Sequence, residues 1–270
     1  MKNLFLAISL GCFCFQSCSQ STKEQTTQKE ISFTDTIPPA EELIELTKEL
    51  PHNYNTLNKT MQLKINTKKN SITPYSTTKS QAKQLRDKIK TQNISKDSAG
   101  VLFTEFLVNK MIPYWYGTTW DFNGHTDIPG EGLVACGYFV STTLKHMGLN
   151  INRYKLAQKA AMDGSKIIQP NKSPVIWRGE SSKFAEYFSQ NYKDGLYKIG
   201  LSNHVGYIYK KSGEVFFLHS SYIDPPFAVT IELANESVAL LQSTVFVITD
   251  ITYNEFLISA WLSGEEIKTQ

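Results

Sequence analysis

Apolar and polar positions change their rhythm several times along this chain. Residues 4–15 are apolar almost without interruption, from Leu4 to Phe15, and residues 19–30 contain only Ser, Thr, Gln, Lys and Glu. Behind Pro38 and Pro39, Leu43, Leu46 and Leu50 recur on one face of a short helix over residues 40–50, and a more polar helix follows over 77–90. Ser95 or Ser98 caps a helix that reaches about Lys110, with Val101, Leu102, Glu105, Phe106 and Val108 along it, and Pro113 ends it. Phe139, Val140, Leu144 and Met147 suit a buried helix over 137–147, closed by Gly148. Further helices are predicted over 154–162 and 182–192.

Beyond residue 195 the period falls to two. Strands are predicted over 196–201 and 204–209, where Val205, Tyr207 and Tyr209 alternate with smaller or opposite-facing residues. Lys211, Ser212 and Gly213 make a turn into a return strand over 214–220. Two more strands follow at 227–233 and 244–249, then a helix over 253–262. Helices first and short antiparallel strands second describe an α+β fold, with N-terminal helices packed on an antiparallel sheet of about five strands.

The first apolar run is too short to span a bilayer, which takes about 20 residues. With Lys2 before it and small residues after it, it reads as an export signal over residues 1–18. Ser17-Cys18 has the form of a lipoprotein cleavage box, so Cys18 is the expected lipidation site and Cys12 its rival. Residues 19–37 form a tether too polar to offset its own chain entropy. A helical segment over 38–94 and a catalytic domain over 95–270 complete the expected organisation. The protein is thus expected in the cell envelope, held to a membrane through its N-terminal lipid.

Composition narrows the field little. The chain is 41% hydrophobic and 20% charged, as globular proteins are, and a net charge of +3 does not favour nucleic acid. Cysteine usage tells more, because Cys12, Cys14 and Cys18 all belong to the signal and Cys136 is the only cysteine of the body. A lone cysteine in an exported protein is either an inert core residue or a working thiol. A nucleophile needs its thiolate, and a helix start or a neighbouring imidazolium lowers the thiol pKa. Cys136 stands at a predicted helix start. His204 and His219 fall at the same end of one predicted hairpin, within reach of each other, so His204 is the candidate base and His219 its orienting partner.

These residues form a recognisable series: Pro113-Tyr114-Trp115-Tyr116-Gly117, then Ala135-Cys136-Gly137-Tyr138-Phe139-Val140, then His204-Val205-Gly206-Tyr207-Ile208-Tyr209, then Phe217-Leu218-His219-Ser220. In order and approximate spacing it resembles the papain-like NlpC-type peptidases, which cut peptide bonds in bacterial cell walls. The resemblance covers about residues 98–249. It implies a papain-like fold, a Cys136-His204-His219 triad and a peptidoglycan stem peptide as substrate, cut at a γ-D-glutamyl bond to a diamino acid. Tyr114 would help hold the oxyanion together with the Cys136 N–H, and Gly137 and Trp120 would lie beside the substrate. The family's Asp before the nucleophile and Ser-Gly after it are Ala135, Gly137 and Tyr138 here, which leaves the nucleophile in place and the scissile bond open.

Three other readings are consistent with the same residues. One is a papain-like acyltransferase or amidase acting on a different acyl group. Another is a non-catalytic wall-binding module using Trp115, Tyr116, Trp120 and Trp177. A third is a zinc site built from Cys136, His204, His219 and Asp224, although no short ligand pair anchors it. The polar loop over 120–131 forms either a wall of the site or a solvated surface. No cofactor, metal or nucleic-acid motif is read from the chain, and a monomer is expected.

Overall fold

A six-stranded sheet carries the fold. The computed structural model describes residues 74–223 and 227–270. The expected export signal with Cys18, the expected tether and the helix expected over 40–50 lie outside the described residues, as does Asp224. Strands β2 (Val175–Trp177), β3 (Gly195–Gly200), β4 (Val205–Lys211), β5 (Glu214–Ser220), β6 (Val229–Leu233) and β7 (Phe246–Asp250) pair in the order β2-β7-β3-β4-β5-β6, every pair antiparallel. β1 (Asn150–Ile151) and β8 (Glu266–Ile267) form a separate, parallel pair.

Alternation sorts the strand residues onto two faces. Leu196, Tyr207, Tyr209, Phe216, Leu218, Val229 and Ile231 join one core, with helices α1 (Tyr75–Thr91), α2 (Lys96–Phe106), α3 (Cys136–His146) and α8 (Glu255–Ser263) over it. Tyr197, Ile199, Ile208, Phe217, Phe246 and Ile248 join a second core beneath α6 (Phe184–Asn191) and α7 (Val238–Leu241). The sheet is therefore covered on both sides, and β3 is buried along its whole length. Eight α-helices are present among the described residues, and none of them is long and apolar enough to cross a membrane.

The architecture is α+β, with three departures from the sequence reading. The sheet has six strands where about five were expected, because β2 is a three-residue edge strand with Val175 and Ile176 exposed, too short for alternation to reveal. The helix expected over 154–162 is two helices, α4 (Arg153–Ala157) and α5 (Ala161–Ile168). Asn152 caps α4 through its side chain, and Ala160 at φ −55°, ψ 155° separates the two in extended backbone. The helix expected to reach Lys110 leaves α geometry at Phe106, passing into a π turn over Leu107–Met111 and a 3-10 turn over Ile112–Tyr114. Pro113 has no N–H with which to continue an α ladder.

The helix expected over 77–90 is α1, and it belongs to the fold: Ala82, Leu85 and Ile89 are part of the first core. The Tyr75 hydroxyl accepts from Trp115 Nε1 at 2.9 Å and meets His146 Nδ1 at 2.9 Å. Trp115 and Tyr116 are core residues, fully and almost fully buried, so neither offers a stacking surface to a glycan.

One glycine decides how α2 meets the sheet. A Cβ on Gly100 would lie 1.8 Å from the Thr252 carbonyl oxygen, which follows β7. Alanine is a better helix former than glycine by about 1 kcal/mol, so in an isolated helix Gly100→Ala would stabilise. Here the clash is with backbone, and overpacking costs of roughly 1–3 kcal/mol or more apply. We expect Gly100→Ala to lower the melting temperature by about 5–10 °C in calorimetry; an unchanged or raised value would contradict this packing.

Candidate active site

Cys136 opens α3. Its N-cap, Ala135, is extended (φ −78°, ψ 160°) and has no side chain able to bond the free N–H groups of the first turn. Those N–H groups stay available to the thiol: the backbone of Gly137 and of Cys136 itself, together with the Val205 N–H, hydrogen-bond toward the sulfur. A Cβ at Gly137 would sit 2.3 Å from the Ala157 carbonyl oxygen, so glycine lets the first turn of α3 lie directly on the end of α4.

His204 is held in the tight turn from β3 into β4. Its carbonyl accepts from the Leu201 N–H at 2.8 Å, and Ser202 in the same turn is tied to Ser243 and Thr244. The next residue, Val205, starts β4 and reaches Cys136 with its N–H. Cys136 and His204 line one cavity of about 220 Å³. The pairing expected between the two histidines is present: His204 Nε2 lies 2.8 Å from His219 Nδ1, with the rings at 86°. His219 is fully buried on β5 and stacks on Phe217, with ring centroids 4.1 Å apart.

A fourth member follows. His219 Nε2 lies 3.1 Å from Glu232 Oε1 on β6. Burial opposes ionisation of Glu232, but the His219 hydrogen bond and charge, with the Ser237 hydrogen bond, outweigh it and hold the carboxyl below its usual range. The ionised carboxylate only accepts, so His219 donates from Nε2 and accepts at Nδ1. His204 must then donate from Nε2. Its Nδ1 is left with a free lone pair, the form a base requires.

The charges at rest differ from the sequence expectation. Burial pushes the Cys136 thiol up, and the three backbone N–H groups only partly offset it. Burial, and next the neighbouring His219, push His204 well below the usual imidazole range. Burial also lowers His219, with Glu232 opposing. The thiol and the imidazole that line this cavity are thus both neutral at rest, where a thiolate at neutral pH was expected from the helix start. We expect alkylation of Cys136 by iodoacetamide to be slow at pH 6 and to rise about tenfold per pH unit to beyond pH 9. A rate already at its plateau by pH 6 would indicate a preformed ion pair instead.

The other predicted site residues are distributed as follows. The Tyr114 ring lies 5.3 Å from that of Tyr75. Trp120 packs on Phe227 (5.0 Å) and Tyr222 (6.2 Å), and Tyr222 in turn packs on His204 at 5.0 Å. A file of aromatic rings therefore leads from His204 out to Trp120. Burial raises the Tyr222 pKa, and Cys136, when it ionises, adds to the effect. Residues 117–120 are bonded to Phe227 and Val229, which fixes this loop to the β6 edge, while His125 is exposed. Trp177 is packed against Phe184, Tyr187 and Phe246. No cluster of metal-ligating residues is present among the described residues.

Glu232, Tyr222 and the buried Lys198 were not singled out by sequence. Glu232 is the only charged residue of β6, which is the signal that was available, but which side chain it meets depends on strand register. Comparison with known proteins yields no match. No protein-family model, curated protein or solved structure matches the chain.

Proposed function

We propose that this protein is a cysteine amidase or peptidase of papain-like, NlpC-type architecture, acting on amide bonds of peptidoglycan stem peptides in the cell envelope. The observation that carries the reading is the hydrogen-bonded series His204-His219-Glu232 running into the cavity that Cys136 lines. A half-buried carboxylate bonded to two buried histidines, fixing the tautomer of the terminal imidazole, is what nucleophilic catalysis asks of an orienting group.

His204 Nδ1 takes the Cys136 proton as the sulfur attacks the amide carbonyl. The backbone N–H groups at the start of α3 face the developing negative charge. The imidazolium, stabilised through His219 by Glu232, then returns the proton to the departing amine, leaving a thioester on Cys136. Water deprotonated by His204 attacks the thioester and releases a carboxylic acid and the thiol. Because thiol and imidazole begin neutral, His204 acts as a true general base in the first step.

Purified mature protein incubated with peptidoglycan should release stem-peptide fragments and leave the glycan strands uncut, as read by mass spectrometry of the soluble products. A product profile identical to that of buffer alone would refute the reading.

A further inference from the structure

The candidate cavity has an unusual floor. Its lining contains two cationic side chains, Lys159 and Lys198, and no acidic one. Lys159 is half-buried, whereas Lys198 is 4% exposed. Strand alternation explains how an ammonium comes to be there: Leu196, Lys198 and Gly200 share one face of β3, while Tyr197 and Ile199 fill the second core on the other. Gly200 packs directly on Ala161, where a Cβ would come within 2.3 Å of the Ala161 Cβ, and this draws α5 down over the strand.

The partners of Lys198 are too few and of the wrong kind for a structural lysine. Nζ donates to the Ala161 carbonyl at 3.2 Å and to Ser165 Oγ at 3.1 Å. Both acceptors are neutral, and an ammonium has three donors. Among the described residues no carboxylate compensates it, although buried charges are ordinarily paired. Across the strands its neighbours are Tyr207 on β4 and Thr249 on β7. Thr249 Oγ1 is buried and has no hydrogen-bond partner among the described residues. The remaining titratable groups around the cavity are Cys136 and His204.

We propose that Lys198 is a specificity residue that receives a carboxylate of the substrate at the floor of the cavity while the scissile carbonyl lies at Cys136. The substrate class is therefore an acyl or peptide chain bearing a free carboxylate near the bond cut. The assignment rests on Cys136 being the reactive thiol, and it refines the stem-peptide proposal by naming the group recognised. Burial lowers the Lys198 pKa to about 8, so the ammonium is the main form at pH 7 and is lost as pH rises through that value. One charge-assisted hydrogen bond, worth about 1.5–3 kcal/mol, corresponds to roughly tenfold to a hundredfold in preference.

The test uses Cys136 as its own reporter and needs no turnover. The mature protein is alkylated with N-iodoacetyl-glycine, N-iodoacetyl-β-alanine and N-iodoacetyl-γ-aminobutyrate, and with the carboxamide of each. The ratio of acid to amide rate cancels the ionisation of Cys136. At pH 7 the wild-type ratio is expected to reach at least about tenfold for one chain length, to fall toward one above pH 8, and to be near one in Lys198→Met. Lys159→Ala should keep it. A wild-type ratio near one at every length, a ratio unchanged in Lys198→Met, or its loss in Lys159→Ala alone would overturn the proposal. Should Lys198→Met fail to fold, the wild-type pH dependence decides by itself. Inert muropeptides with a high ratio would sink the hydrolase reading alone, and cleaved muropeptides with a ratio near one would sink the Lys198 assignment alone.

Discussion

Cys136→Ala is expected to reduce kcat/KM on stem peptides at least about 10³-fold, and His204→Ala to do nearly the same. The reason lies in the resting charges. A thiolate that existed beforehand would leave His204→Ala with much of its nucleophile. Here the thiol is pushed up by burial and has to surrender its proton during attack, so removing the base removes the nucleophile as well. The two changes should therefore be grossly non-additive, with the double variant no worse than either single one. Cys136→Ser is expected to be equally inactive, because it keeps the shape and hydrogen bonds but not the acidity. Each variant would be assayed by the free amine released, with circular dichroism to verify folding. Retention of more than about a tenth of wild-type activity in Cys136→Ala would rule the nucleophile out.

How much of this was legible in sequence depends on the range of the interaction. Period-two alternation and the Lys211-Ser212-Gly213 turn located β4 and β5 closely, since Ser212 and Gly213 both adopt the positive φ that such a turn requires. The same local signals brought His204 and His219 to one end of the hairpin, and they are indeed hydrogen-bonded. The start of α3 at Cys136 was likewise readable from its apolar spacing. What local pattern could not supply was register between strands separated by a loop. Glu232 meets His219 because β5 and β6 align His219 with Thr230, which puts Glu232 one diagonal step away. No composition or spacing encodes that offset.

Thiol acidity was misjudged for a related reason. A helix N-terminus argues for a lowered pKa, and the N–H groups of that first turn do pull in that direction. Burial depends on everything that surrounds the residue, including α4 pressed against Gly137 and the β3–β4 turn, and it outweighs the local effect. Lys198 hides similarly: in sequence it is one lysine among many, and only the covering of β3 by α5 leaves it uncompensated beside the cavity.

Glu232→Gln is expected to lower kcat/KM by roughly 10²-fold, less than loss of His219 and far less than loss of Cys136. The carboxylate acts at two removes, and two effects separate it from a packing residue. First, glutamine can donate as well as accept, so it tolerates the inverted chain in which His219 Nε2 accepts, His219 Nδ1 donates to His204 Nε2, and His204 Nδ1 carries the proton that disables it as a base. Second, the charge is gone, and the two imidazoles, which titrate as a pair, lose their support in the protonated form. The acid limb of the pH profile should therefore move to lower pH while the plateau falls. The stability effect has its own sign. Burial lowers the folded pKa of His219 below its unfolded value, so between the two the unfolded state binds more protons and stability drops as pH falls below about 6.5. Removing Glu232 deepens that depression, so between about pH 6.5 and 4.5 Glu232→Gln should lose more stability than wild type; below that window the wild type also loses the stabilisation of its ionised Glu232. A merely structural glutamate would change stability or yield and leave the acid limb where it is, so an unmoved limb would exclude Glu232 from the relay.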